Sequence, residues 1–123
     1  MTTYSAPDLV RLTGATYRQV DYWARTHLLV PSGHAATGCG SRREYSPVDL
    51  DLCRMLVSLI SVAPLQIARD VAPALRSVLE ASGRPECVFV SAYGAVSTST
   101  PPLAELPVIC IPVPGELTQA GAA

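Results

Sequence analysis

Arg18, Tyr22 and Arg25 recur at i, i+4 and i+7, with Gln19 beside them. That spacing sets the three on one face of a helix. A guanidinium can donate two parallel hydrogen bonds to the O6 and N7 of a guanine, and a glutamine amide can pair in the same way with an adenine. A tyrosine hydroxyl can add a bond to a phosphate. The chemistry open to these residues is recognition of base edges and phosphates, with no bond made or broken. Further along stand the neighbours Arg42 and Arg43. In a strand they would point to opposite faces, so one of the two meets a phosphate backbone directly. Nothing makes a matching case for catalysis. Asp49 and Asp51 read as a helix-start pair, placed there by dipole and capping preferences. His34 has no nucleophile near it in sequence, Ser41 lacks an elbow motif, and no Gly-rich phosphate loop follows a strand. Neither an enzyme nor a cofactor is expected.

Charge narrows where such a recognition surface can lie. The chain has 123 residues and a net charge of −1, so no global basic field draws it to nucleic acid. The charge is uneven, however. Residues 1–45 hold five Arg against three acids, and residues 46–123 hold four Arg against seven acids. A DNA-facing surface belongs in the first part, where His27 and His34 also stand. The four cysteines, Cys39, Cys53, Cys87 and Cys110, show no CxxC spacing. They read as small buried apolar residues rather than metal ligands, with Cys39, in a Gly-rich loop, the one to watch. Residues 1–17 lack a basic start followed by an apolar run, and the longest uncharged stretch, 87–104, is broken by Ser, Thr and Pro. The expectation is a cytoplasmic protein with no membrane contact.

The elements that must position these residues can be read from caps and periodicity. Ser5 caps a first helix with Pro7 and Asp8 in its first turn, and Gly14 ends it. Thr16 caps a second helix running to about residue 27, and the exposed end of that helix could face a phosphate. Val20, Trp23, Ala24 and His27 form its inward face. Leu28–Leu29–Val30 is a short extended run stopped by Pro31. Residues 32–45, Gly- and Ser-rich, suit a two-stranded wing with its tip near 38–41. Ser46 caps a third helix, with Pro47 at its first position and Val48, Leu52, Met55, Leu56, Leu59 and Ile60 supplying core. Residues 64–82 are helical again, with Ile67, Val71, Leu75, Val78 and Leu79 as the apolar stripe. Pro73 lies inside that stripe and should kink it or divide it into two short helices. After Pro85 the pattern turns to strands at 88–90, 95–100 and 108–113, the last at an edge because Pro112 and Pro114 cannot donate ladder bonds.

Taken together, LTGATYRQVDYWARTHLLVP, the wing GCGSRREYS and a helix opening at PVDL resemble the MerR family of winged helix-turn-helix DNA-binding proteins. The likeness is closest to an actinobacterial branch with a YRQ-x-DYW-AR recognition helix, and it spans the first seventy residues. It implies a recognition helix in the major groove and a wing on the flanking backbone or minor groove, with palindromic promoter DNA bound by a dimer. Carried over by position, Thr16, Tyr17, Arg18, Gln19, Tyr22 and Arg25 belong to the recognition helix. Arg42 and Arg43 belong to the wing, with Tyr45 at its base. The chain departs from the family in two ways. The long C-terminal coiled-coil helix by which members dimerise is replaced by a short segment containing Pro73, and the Cys pair of metal-sensing members is missing.

The fold class expected is α+β. Residues 1–82 form the winged helix-turn-helix with its following helices, 83–118 a small antiparallel β region for dimerisation or effector binding, and 119–123 a frayed tail. The expected function is a sequence-specific transcriptional regulator that binds double-stranded DNA as a homodimer through its C-terminal strands, with RNA polymerase a further candidate partner. Two other functions fit the same residues: an excisionase-like architectural DNA-binding factor of a mobile element, and a protein-interaction adaptor on a winged-helix scaffold.

Overall fold

The first three helices all start on the same device. Ser5, Thr16 and Ser46 each accept a hydrogen bond from the backbone N–H three residues on. The side chains of Asp8, Gln19 and Asp49 in turn accept from the backbone N–H of the cap. Such reciprocal boxes satisfy donors that the first helical turn leaves open. They set α1 at Ala6–Thr13, α2 at Tyr17–Arg25 and α3 at Pro47–Ile60 in the computed structural model, which describes residues 3–32, 43–81, 83–91, 94–97 and 108–114. Gly14 closes α1 in the left-handed region at φ 84°, its N–H on Val10 O. A Cβ there would meet nothing within 4 Å, so the backbone conformation, not space, calls for glycine.

α2 stops two residues short of its expected end. Thr26 caps it, and its hydroxyl donates to Tyr22 O. His27 follows at φ 64°, which reverses the chain so that the N–H groups of Leu28 and Leu29 both reach Trp23 O. Both leucines are thereby buried, while His27 points outward instead of lying on the inward face with Val20 and Trp23. The wing expected over 32–45 falls mostly outside the described residues, with His34, Cys39 and Arg42 among those not described. Its base is described: Tyr45 and Tyr4 exchange backbone hydrogen bonds of 2.7 and 2.8 Å in an isolated antiparallel bridge.

Pro73 does not divide the fourth helix, one of the two outcomes expected of it. α4 runs unbroken over Leu65–Glu80. A proline in a helix interior costs about 3 kcal/mol. Val71, Leu75 and Leu79, all buried against the rest of the core, each contribute about 1.5–3 kcal/mol. Their sum outweighs the proline, whose ring is on the exposed side.

Beyond α4 the chain forms a three-stranded antiparallel sheet in the order β2-β1-β3, from β1 Cys87–Ser91, β2 Val96–Ser97 and β3 Val108–Pro112. Phe89 opposes Ser97 on one side and Cys110 on the other. Val88, Val90 and Ile111 face inward and join the same core as Leu9, Trp23, Leu56 and Leu75, so helices and sheet share one hydrophobic interior. The outer face carries Cys87, Phe89 and Cys110. Of the cysteines expected in the interior, Cys53 alone among the described residues is buried, and burial pushes its thiol pKa up. Cys87 is half-buried and Cys110 exposed, because strand alternation turns both away from the helices.

Two carboxylates of α3 hold the outer elements to this core. Asp49 is fully buried. It accepts from Arg76 of α4 at 2.7 Å and from the Ser32 N–H and hydroxyl, besides its capping bond. Asp51, also buried, pairs with Arg84 at 2.8 Å, and Arg84 bonds the carbonyls of Leu79 and Pro114 as well. Their placement owes more to these partners than to the helix dipole. No helix among the described residues is long and apolar enough to cross a membrane.

Candidate nucleic-acid interface

The exposed side of α2 begins at its cap. Thr16 is exposed, and its hydroxyl and N–H are both engaged with Gln19. Gln19 Oε1 is therefore occupied by the cap, which leaves the amide NH2 as its outward group. Tyr17 stands 61% exposed next to it. Arg18 is exposed and makes no hydrogen bond or ion pair among the described residues, so its full fork of donors is open.

One and two turns along, Tyr22 and Arg25 continue the same stripe. Arg18, Gln19, Tyr22 and Arg25 border an open cleft of about 550 Å³, floored by Trp23 and walled by Ile60 and Leu65 from the end of α3 and the start of α4. Trp23 is 2% exposed, a core residue as its spacing indicated. Arg69 of α4 lies over the Tyr22 ring, 5.6 Å from its centroid, and also donates to Thr26 Oγ1 at 3.0 Å. Arg69 was missed in the sequence. Forty-three positions separate it from Thr26, and no local pattern joins them.

The other cations of the stripe are not free. Arg25 Nε donates to Asp21 at 2.9 Å, one turn back on α2, and Arg43 donates to the other Asp21 oxygen at 3.0 Å. The Arg43 bond, first, and the nearby charge of Arg25 hold the Asp21 carboxyl below the usual carboxylate range. Arg43 thus joins the segment before Tyr45 to α2. Glu44, its neighbour, instead accepts from the Thr3 hydroxyl. The Arg25–Asp21 pair was legible as an i, i+4 spacing. The reach of Arg43 to the same carboxylate was not.

Tyr45 requires a correction. It is wholly buried, with its hydroxyl among the enclosed atoms, and burial pushes its pKa up. Its side chain lies in the core instead of on the exposed side of α2, and its backbone bridges to Tyr4. Arg42 lies outside the described residues. The remaining expected residues, Thr16, Tyr17, Arg18, Gln19, Tyr22, Arg25 and Arg43, sit on α2 or tied to it.

The arrangement is a capped helix with an open arginine and a polar stripe, with Arg43 tied to it through Asp21. The model of the MerR HTH family of regulatory proteins matches residues 4–68. The chain belongs to the MerR family. The chain is 42% identical to an uncharacterized HTH-type transcriptional regulator of Mycobacterium bovis, the match covering 54% of this chain and 32% of the relative. HTH-type transcriptional regulators from two strains of Mycobacterium tuberculosis match to the same extent. The chain thus aligns with about a third of the length of these relatives. The family match covers α1, α2, α3 and the start of α4, and the C-terminal sheet lies outside it.

Proposed function

We propose that this chain is a sequence-specific double-stranded DNA-binding transcriptional regulator, not an enzyme, and that it acts in the cytoplasm. α2 enters the major groove, where Arg18 reads a guanine and the Gln19 amide and Tyr22 hydroxyl add polar contacts. Arg43, with Arg42, brings the wing to the flanking backbone. The observation that supports this most is the exposed stripe of Arg18, Gln19, Tyr22 and Arg25 bordering one cleft, with Arg43 tied to the same helix through Asp21. Two copies associate through the β3 edge, which among the described residues has no strand beside it. A dimer bound at a promoter would meet RNA polymerase as its further partner.

Selection from a random duplex library at two salt concentrations tests this, with the intact protein and with Arg18→Ala. The expected result is a two-fold symmetric motif that the variant fails to enrich. Equal behaviour of both proteins, with no enrichment at low salt, would remove the DNA-binding reading.

A further inference from the structure

A carboxylate at the centre of a DNA-facing surface is an electrostatic cost, since it repels every phosphate that the neighbouring arginines attract. Asp21 holds that place. It lies on α2 between Arg18 and Arg25, its side chain 49% exposed, with one oxygen taken by Arg25 and the other by Arg43. Arg25 and Arg43 are themselves 63% and 38% exposed in their side chains. Each keeps donors that face solvent, because a guanidinium has five N–H groups and the two bonds to Asp21 use one from each.

We infer that Asp21 is a positioning and specificity-determining residue. It fixes the wing's base against the recognition helix through Arg43, and it weakens binding to duplexes of any sequence by tying two cations in intramolecular pairs. This inference rests on the DNA-binding reading for its second half; the first half concerns the protein alone. The physical logic follows from how the two kinds of contact differ. Non-specific affinity is carried almost wholly by phosphate neutralisation, so an arginine held by a carboxylate adds less to it. A matched sequence adds base contacts from Arg18, which has no such restraint, and these survive the presence of Asp21 in full. The tether contributes on the matched site in a second way. Arg43 lies two residues before Tyr45, whose backbone bridges to Tyr4, so the Asp21 bond and that bridge together fix where Arg43 stands relative to α2. An arginine that is already placed loses less freedom on binding.

The test uses the full chain and its Asp21→Asn and Asp21→Glu variants. Each is titrated against a random-sequence duplex and against the duplex enriched by selection, over a series of salt concentrations. Amide exchange is followed in the DNA-free proteins. Asp21→Asn keeps the shape and removes the charge. It should bind the random duplex about three- to fivefold more tightly, with a salt slope steeper by about one unit for each arginine released to a phosphate. The ratio of matched to random affinity should narrow, and the Tyr4 and Tyr45 amides should exchange faster. Asp21→Glu restores the carboxylate and should return the ratio most of the way. An unchanged ratio, or weaker binding of the random duplex, overturns the specificity role. If the unmodified chain binds no duplex at low salt, the DNA-binding reading fails with the specificity role, and amide exchange alone then decides the tether. Faster exchange in Asp21→Asn upholds it, and identical exchange removes it.

Discussion

Arg18 and His27 sit nine positions apart and differ in what holds them. Arg18 is exposed and unpaired among the described residues, so a variant should lose recognition without losing stability. Arg18→Ala is expected to cost roughly 1–3 kcal/mol of discrimination at a single base pair, with unfolding unchanged. Competition binding against a panel of single-base variants of the selected site would show it. His27 carries strain instead. It holds φ 64° with an exposed side chain, and a residue with a Cβ pays about 1–2 kcal/mol in that region. His27→Gly should stabilise the fold by about 0.5–1 kcal/mol, part of the relief being returned as greater freedom of the unfolded chain. Urea unfolding measures the gain, and a loss would mean that the imidazole makes a contact worth more than the strain.

At the scale of elements, α3 is the organiser, because its first two turns carry both buried carboxylates. Asp49 serves three segments at once: its own helix cap, Ser32 at the start of the wing segment and Arg76 of α4. Asp49→Ala leaves Arg76 without its partner and removes the acceptor of the Ser32 and Ser46 N–H groups, and should cost about 3–5 kcal/mol in thermal or urea unfolding. A conservative Asp49→Asn keeps an acceptor for the cap and should fall between the two. The box at α1 has a pH signature. Bonds from Ser5 and the Arg11 guanidinium hold the Asp8 carboxyl below its ordinary value. A carboxyl depressed in the folded state contributes stability that is fully present above its unfolded pKa and is lost as the pH falls through the folded one. An NMR titration of Asp8 should therefore give a midpoint below about 3.9, the value of a free aspartate, with the Ser5 and Asp8 amides losing protection as the carboxyl protonates.

The whole molecule has one core but two kinds of surface. Among the described residues α2 presents the polar one, with Arg18, Tyr22 and Arg25, and the outer face of the sheet, with Cys87, Phe89 and Cys110, the apolar one. Dimerisation through β3 predicts that a charge on its edge opposes association. Cys110→Lys, at an exposed position, should shift the monomer–dimer equilibrium toward monomer at least about tenfold by sedimentation, with the fold intact. Because Val88, Val90 and Ile111 share the interior with the helices, trimming the strands should instead unfold the helices in the same cooperative transition.

Local rules wrote much of this protein directly into its residues. Ser, Thr and Asp at caps, Pro at first turns and Gly at the end of α1 placed the first three helices, since those interactions span at most four residues. The apolar periodicities placed Val20, Trp23 and Leu56 in the core, and the exposed stripe of α2 followed as their complement. Four features were decided only when distant segments met. Pro73 stays helical because burial of its neighbours outweighs a local penalty. Tyr45 lies in the core and bridges through its backbone to Tyr4, a residue far from it in sequence. Asp21 gathers Arg25 from its own helix and Arg43 from across the wing, and Arg69 reaches Tyr22 from α4. Pairs separated by twenty or forty residues leave no periodic trace, and the energy that forms them exists only once the chain has closed upon itself.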